Sequence, residues 1–330
     1  MNAPDDLPVF HEGECLMQAR AGVRDRMAAL GQHVIRTFMT EQHQAFFAQL
    51  PFVVVGSVDA AGQPWASILT NPPGFISSPD AHQLLIRAQA LTADPLRETL
   101  VPGGSIALLG IEQHTRRRNR MNGVVERIDD DGLLVGVQQS FGNCPKYIQA
   151  RQAEYVKREG AGSVHHDTTL SETAYQIITR ADTLFIATAH PGANHGATQS
   201  HGLEEEGDGA HGVDVSHRGG KPGFVRVDSD NTLTLPDFAG NRFFNTLGNI
   251  MLNPRVGLLL FDFETGDVLY LAADAEIVFD GSEVDAFAGA ERLLRLSIME
   301  VRHVVASLSL RWKGEVQISP FLMHTGSWTA

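Results

Sequence analysis

Cysteine is nearly absent from this 330-residue chain: Cys15 and Cys144 are its two, far apart and outside any Cys-x-x-Cys spacing. Neither a disulfide framework nor a zinc-finger ligand set can be built from them, and a reducing cytoplasm is the expected setting. Long apolar runs are missing too. No stretch approaches the ~20 residues of a membrane helix, and the start, Met1-Asn2-Ala3-Pro4-Asp5-Asp6, has no apolar segment behind it, so neither export nor anchoring is expected. Basic charge is in deficit, with a net charge of -13. A field of that sign repels nucleic-acid backbones and anionic membranes, apart from the local run Arg116-Arg117-Arg118-Asn119-Arg120.

What is present is a globular composition, 43% apolar, in a chain long enough for two domains. Residues 1–50 read as helices, with apolar positions recurring every three or four residues from Val23 to Met39, and are expected to cover a face of the first domain. Phe52–Val58, Asp59-Ala60-Ala61-Gly62 and Trp65–Leu69 then read as strand, hairpin and strand. A polar helix is expected between Ile148 and Ser163, and Pro145-Lys146-Tyr147 reads as a helix start. Ser171-Glu172-Thr173 caps the helix that opens the second domain.

An internal repeat organises the chain. Asn71-Pro72-Pro73-Gly74-Phe75-Ile76 matches Gly220-Lys221-Pro222-Gly223-Phe224-Val225 at an offset of 149, and Leu84-Leu85-Ile86 falls on Leu233-Thr234-Leu235 in the same register. Ser105–Leu109 falls on Arg255–Leu259 at an offset of 150, and Phe52–Val55 best matches Leu184–Ala187 at 132. Two β-rich copies follow, spanning 1–165 and 166–330, with 17 extra residues in the second. That insertion, Pro191–Gly212, is rich in Gly and His and carries Glu204-Glu205-Glu206; it reads as a surface loop, a lid or a weak metal-binding tract, and no metal is assigned to it.

The copies differ in chemistry. Asn241 and Arg242 fall opposite Thr92 and Ala93, so one guanidinium has no counterpart. Ser216, Arg218, Lys221, Asn241, Arg242 and Asn245 form a donor set suited to a phosphate dianion, with Gly219, Gly220 and Gly240 allowing close backbone approach. On this reading the second copy holds the phosphate. Arg118 and Arg120 alternate onto one face of a strand, which is either solvated or part of a site. Trp65 reads equally as core or as a cofactor wall.

Ser216-His217-Arg218-Gly219-Gly220-x-Pro222-Gly223-Phe224-Val225, then Asp237-Phe238-Ala239-Gly240-Asn241-Arg242-x-x-Asn245-Thr246 and Asn253-Pro254-Arg255, resemble the flavin-nucleotide-binding proteins related to pyridoxamine 5'-phosphate oxidase. Gly62–Ser67 and Asn143–Tyr147 extend the resemblance to the first copy. It implies an α+β, mainly β fold of two tandem split β-barrels with flanking helices, and FMN as cofactor. Asn241-Arg242 takes the place of the family's Ser-Arg-Lys phosphate cluster, with Phe243 where the Lys stands, and Lys221 is a candidate substitute. The strand Ser216-His217-Arg218 would run along the isoalloxazine and bond its pyrimidine edge through main-chain groups. Trp65, Arg118 and Arg120 would form the second wall of an internal pseudo-dimer, and His217 is the candidate proton donor.

The function expected from the resemblance is an FMN-dependent oxidoreductase acting on a small molecule, with electrons from NAD(P)H, a reductase or the substrate. The alternatives are a non-catalytic flavin carrier or sensor, and haem binding or degradation with His190, His217 or His303 as axial ligand. The chain is compatible with a self-contained pseudo-dimer or with further pairing through exposed edges.

Overall fold

The computed structural model describes residues 9–158, 160, 162–193, 195–196 and 209–328. Three helices lead: α1 (Glu12–Arg20), α2 (Arg24–Val34) and α3 (Glu41–Ala48). The first barrel follows as β1 (Phe52–Val58), β2 (Pro64–Thr70), β3 (Ile76–Asp80), β4 (Gln83–Ile86), α4 (Leu96–Thr99), β5 (Ser105–Glu112), β6 (Arg117–Asp129) and β7 (Gly132–Gly142). After β8 (Ala150–Tyr155), β9 (Val164–Asp167) and α5 (Glu172–Arg180) comes the second: β10 (Thr183–Ala189), β11 (Val213–Gly219), β12 (Arg226–Ser229), β13 (Thr232–Phe238), α6 (Asn245–Leu252), β14 (Arg255–Phe261), β15 (Val268–Val278), α7 (Ser282–Ala286) and β16 (Ala290–Val304). β17 (Leu310–Gln317) ends the strand set.

The two sheets are copies of one topology. Their strand orders, β2-β1-β5-β6-β7-β4-β3 and β11-β10-β14-β15-β16-β13-β12, superpose term by term, and all pairings along them are antiparallel. The fold is therefore mainly β with flanking helices, as two tandem split barrels. Register refines the repeat. Val54 lies opposite Ile68 and Leu109, as Phe185 lies opposite His217 and Leu259, so β1 and β10 are offset by 131 rather than 132 and the insertion is 18 residues rather than 17.

Each central strand is buried on both faces, for two different reasons. Val53 and Val55 of β1 point into the first barrel's own core with Phe46, Phe47 and Leu50 from α3 and its end. The alternate residues Phe52 and Val54 point into a core shared with Phe185, Ala187, Leu259 and Phe261 of the second barrel. That shared layer explains strands without polar alternation. Close approach is needed there: a Cβ on Gly257 would lie 2.3 Å from the Pro64 carbonyl oxygen. The barrels thus pack as an internal pseudo-dimer.

Three expectations need correction. α1 packs on α6 of the second barrel, through Gly13 against Gly248, rather than covering the first. The stretch after Ile148 is the strand β8, whose backbone groups pair with the distant β17; a polar segment with no strong local preference takes its conformation from its partner. No helix starts at Pro145, where Tyr147 instead adopts a left-handed φ of 63°. The expected cap is present: the Ser171 hydroxyl accepts the Ala174 N–H at 3.2 Å.

Candidate functional site

β11 is the edge strand of the second sheet, and its free edge faces β6 of the first barrel. Between them, closed on the far side by the turn before α6, lies a cleft with a cavity of about 80 Å³. Ser216, His217, Arg218, Asn241, Arg242 and Asn245 line it from the second barrel, and Arg118, Arg120 and Asn143 from the first. Alternation explains the first-barrel pair, since residues two apart on a strand share a face.

Three of the residues singled out from sequence stand elsewhere. Trp65 is buried in the core between the barrels, its Nε1–H donating to Asp59 at 3.2 Å and its ring under the Arg302 guanidinium. Lys221 donates to the Thr325 carbonyl at 2.6 Å, so it does not replace the missing cluster lysine. Gly219 serves packing, because a Cβ there would lie 2.1 Å from the Tyr147 carbonyl oxygen. The strand's main chain also differs from expectation: Val215 and His217 carbonyls accept from Arg120 at 3.0 Å and Arg118 at 3.4 Å.

The guanidinium groups are not equivalent. Arg120 is buried in an ion pair with Asp214 and donates to Asn245 at 2.9 Å and Ser216 at 2.6 Å. Arg218 pairs with Asp237 at 2.5 Å, and Arg242 forms a fork on Glu291 at 2.5 and 2.7 Å, while Arg292 bridges Asp237 and Glu291. Arg118 donates to the Cys144 carbonyl at 2.6 Å, and among the described residues no carboxylate pairs with it. Burial first, then Arg120 and Arg218, push its pKa down to about 10, still charged at neutral pH. Five guanidinium groups thus meet three carboxylates, leaving a formal excess of two positive charges.

A fourth acid stands behind the cleft without changing that excess. Glu14 of α1 accepts from Asn245, and burial pushes its pKa up to about 8, so it is mostly neutral at pH 7. His217 is 5% exposed, and burial first, with Arg118, Arg218 and Arg151, holds it well below the usual imidazole range. It is a neutral imidazole, not a cationic acid. Its Nε2, with Arg120 Nε and Arg218 Nε, has no hydrogen-bond partner among the described residues. The N-terminus of α6 opens on the same cleft. Phe244 precedes it at φ 65°, following Arg242 at φ 69°, and no side chain caps its first-turn N–H groups.

The carboxylate partners Asp214, Asp237 and Glu291, and the backing residues Glu14 and Thr246, were not singled out from sequence. Asp237 and Thr246 stand in the motif quoted above without a role assigned to them, and Asp214 stands two residues before Ser216 on one strand face. For the haem ligands, His303 bonds Asp267 at 2.8 Å, His217 lines the cleft, and His190 lies elsewhere, beside Glu12. Of the insertion, residues 194 and 197–208, with His201 and Glu204–Glu206, lie outside the described residues, as does any test of a lid there.

An antiparallel sheet of this order, duplicated in one chain with a cationic cleft between the copies, defines a tandem split-barrel protein. Residues 39–161, which hold the first barrel, match the family model of pyridoxamine 5'-phosphate oxidase. Solved structures that it resembles include a putative pyridoxamine 5'-phosphate oxidase from Lactobacillus delbrueckii, at 16% identity over 41% of this chain and 94% of that one, TM-score 0.30. A FAD-binding protein from Mesorhizobium loti matches at 16% identity over 44% and 98%, TM-score 0.26. HupZ from Group A Streptococcus matches at 13% identity over 39% and 90%, TM-score 0.28. No curated protein matches the chain. Among the described residues no helix is long and apolar enough to cross a membrane.

Proposed function

We propose that the cleft takes the phosphate of FMN and that the protein is an FMN-dependent oxidoreductase of small molecules. The observation that carries this reading is the excess of two positive charges in a buried cleft, which matches a phosphate monoester of about -1.5 to -2 at neutral pH. Arg118 supplies a guanidinium that no carboxylate among the described residues neutralises, Asn143 and Asn241 supply amide donors, and the uncapped turn of α6 supplies N–H groups. The unpartnered nitrogens of His217, Arg120 and Arg218 are the buried polar atoms such a ligand would satisfy.

Size sets the division of labour. A cavity of about 80 Å³ suits a phosphoryl group or a few waters, well short of the roughly 300–1,000 Å³ of whole-cofactor sites. The flavin ring would therefore extend from the mouth, toward Phe238 and the Tyr147 ring that packs on it 5.0 Å away. Bound there, the flavin supplies hydride or electron transfer at its ring, and this chain contributes anchoring, orientation and a positive field.

The experiment is an absorbance spectrum of the purified chain with heat-released cofactor identified by chromatography, followed by mixing with NAD(P)H. Flavin bands with FMN released, bleaching with reductant and recovering with an acceptor, support the enzyme reading. FMN that never bleaches with any donor leaves the carrier or sensor; a Soret band or a colourless chain that rejects FMN overturns the assignment.

A further inference from the structure

At the N-terminal end of α1, beside its contact with α6, four side chains that no step above uses come together. His11 is the N-cap of α1 and Glu12 its first residue; His190 follows β10, and His211 ends the short turn Gly209–His211 that leads into β11. One ligand atom each from His11, Glu12 and His190 lie within 4.8 Å of one another. His190 Nε2 is 3.3 Å from Glu12 Oε1, His211 Nε2 is 3.7 Å from Glu12 Oε2, and the rings of His190 and His211 are 4.3 Å apart.

We propose that His11, Glu12, His190 and His211 bind one divalent transition-metal ion of the zinc class. Three imidazoles and a carboxylate are an ordinary ligand set for such an ion, and bonds of about 2.0–2.2 Å in tetrahedral array place ligand atoms roughly 3.3–3.6 Å apart. The His190–Glu12 separation already has that size and the His211–Glu12 separation is 0.1 Å beyond it, so a small contraction of His11 and His211 onto the pair completes the site. The second observation is burial. His11 is 3% exposed, and its Nε2 has no hydrogen-bond partner among the described residues.

The frame is rigid. A Cβ on Gly13 would lie 2.2 Å from the Gly248 carbonyl oxygen, so the start of α1 is held directly on α6. On the other side the His190 N–H donates to the Gly212 carbonyl at 3.0 Å, closing the neck of the insertion and setting His190 and His211 side by side. The ion would tie these two elements together.

Tautomer choice shapes the affinity. His11 and His190 accept the N–H of Gly13 at 3.1 Å and of Gly192 at 2.9 Å on Nδ1, which puts the ring protons on Nε2. Ligation through Nε2 moves those protons to Nδ1 and gives up both backbone contacts.

The test is calorimetric titration of the full chain, freed of metal by chelation, with zinc chloride at pH 7.5, alongside thermal unfolding with and without zinc. One equivalent per chain is expected, with a raised melting temperature. His190→Ala should weaken binding at least tenfold, and so should His11→Asn, a variant that keeps an N-cap side chain and therefore the helix. Sub-stoichiometric, non-saturating binding overturns the proposal, and so does one-to-one binding that neither variant moves. A variant that fails to fold without zinc but is rescued by it does not count as loss, which is why His11→Asn is included.

Discussion

Tyr270 stands in the second barrel where Arg120 stands in the first: each is the cross-strand partner of an equivalent leucine, Leu259 and Leu109. The exchange decides which of two pseudo-symmetric clefts survives. Around Arg120 lie Ser216, Asn245 and the open start of α6. Around Tyr270 the hydroxyl donates to Asp94 at 2.9 Å, and Ser67, the counterpart of Ser216, donates to the same carboxyl at 2.5 Å. Ala93, opposite Arg242 in the repeat, keeps the left-handed turn at φ 60° without the guanidinium. Ser67, Asp94 and Tyr270 are all buried, so the counterparts of Ser216 and Arg120 are both committed to one carboxyl.

One flavin per chain is therefore expected. Tyr270→Phe should leave that stoichiometry unchanged, because Asp94 still blocks the first cleft. Binding of two equivalents, measured by ultrafiltration against chain concentration, would contradict the asymmetry.

Glu291 competes with a ligand phosphate for Arg242 and Arg292. Glu291→Gln should free both forks and tighten FMN binding several-fold, whereas Arg118→Ala should weaken it by roughly tenfold or more, the scale of a charge-assisted contact of about 1.5–3 kcal/mol. Fluorescence titrations in which the two variants move in the same direction would refute this ordering.

How much of this was legible beforehand follows from distance along the chain. The repeat, the strands and the second-barrel half of the cleft were readable because Ser216–Arg218 and Asn241–Asn245 are local runs, and Arg118 and Arg120 follow from strand alternation. The carboxylates that tie the arginines were not, since Glu291 reaches Arg242 from β16, and nothing in linear order reports that register. Trp65 illustrates the opposite failure: a strand aromatic has the same sequence signature whether it meets a cofactor or another barrel. The His11–His211 cluster joins segments two hundred residues apart in the chain.

Asp94 gives the stability a pH dependence of unusual sign. Burial raises its pKa from the ordinary 3.8 to about 6. In that window the folded state holds a proton the unfolded state has released, so this group's contribution is full below about pH 4 and lost as pH rises through 6, up to about 3 kcal/mol. Asp94→Asn should flatten that part of the profile. Urea midpoints at pH 4.5 and 6.5 measure it, and an identical pH response in the variant would exclude Asp94 as the source.

Packing between the barrels is tested by Gly257→Ala. The added methyl meets Pro64 O at 2.3 Å and Trp65 Cα at 2.6 Å, both fixed backbone atoms, so a loss of about 1–3 kcal/mol is expected in denaturant unfolding. An unchanged midpoint would mean the barrels separate more easily than their shared core implies.

The measurement closest to the central claim compares FMN with riboflavin, which lacks only the phosphate, in equilibrium titrations of the same protein. The cleft between Arg118 and the start of α6 predicts that riboflavin binds at least tenfold more weakly and that Arg118→Ala closes most of the gap. Equal affinity for the two ligands would contradict it, because the two unbalanced positive charges would then be facing something other than a flavin phosphate.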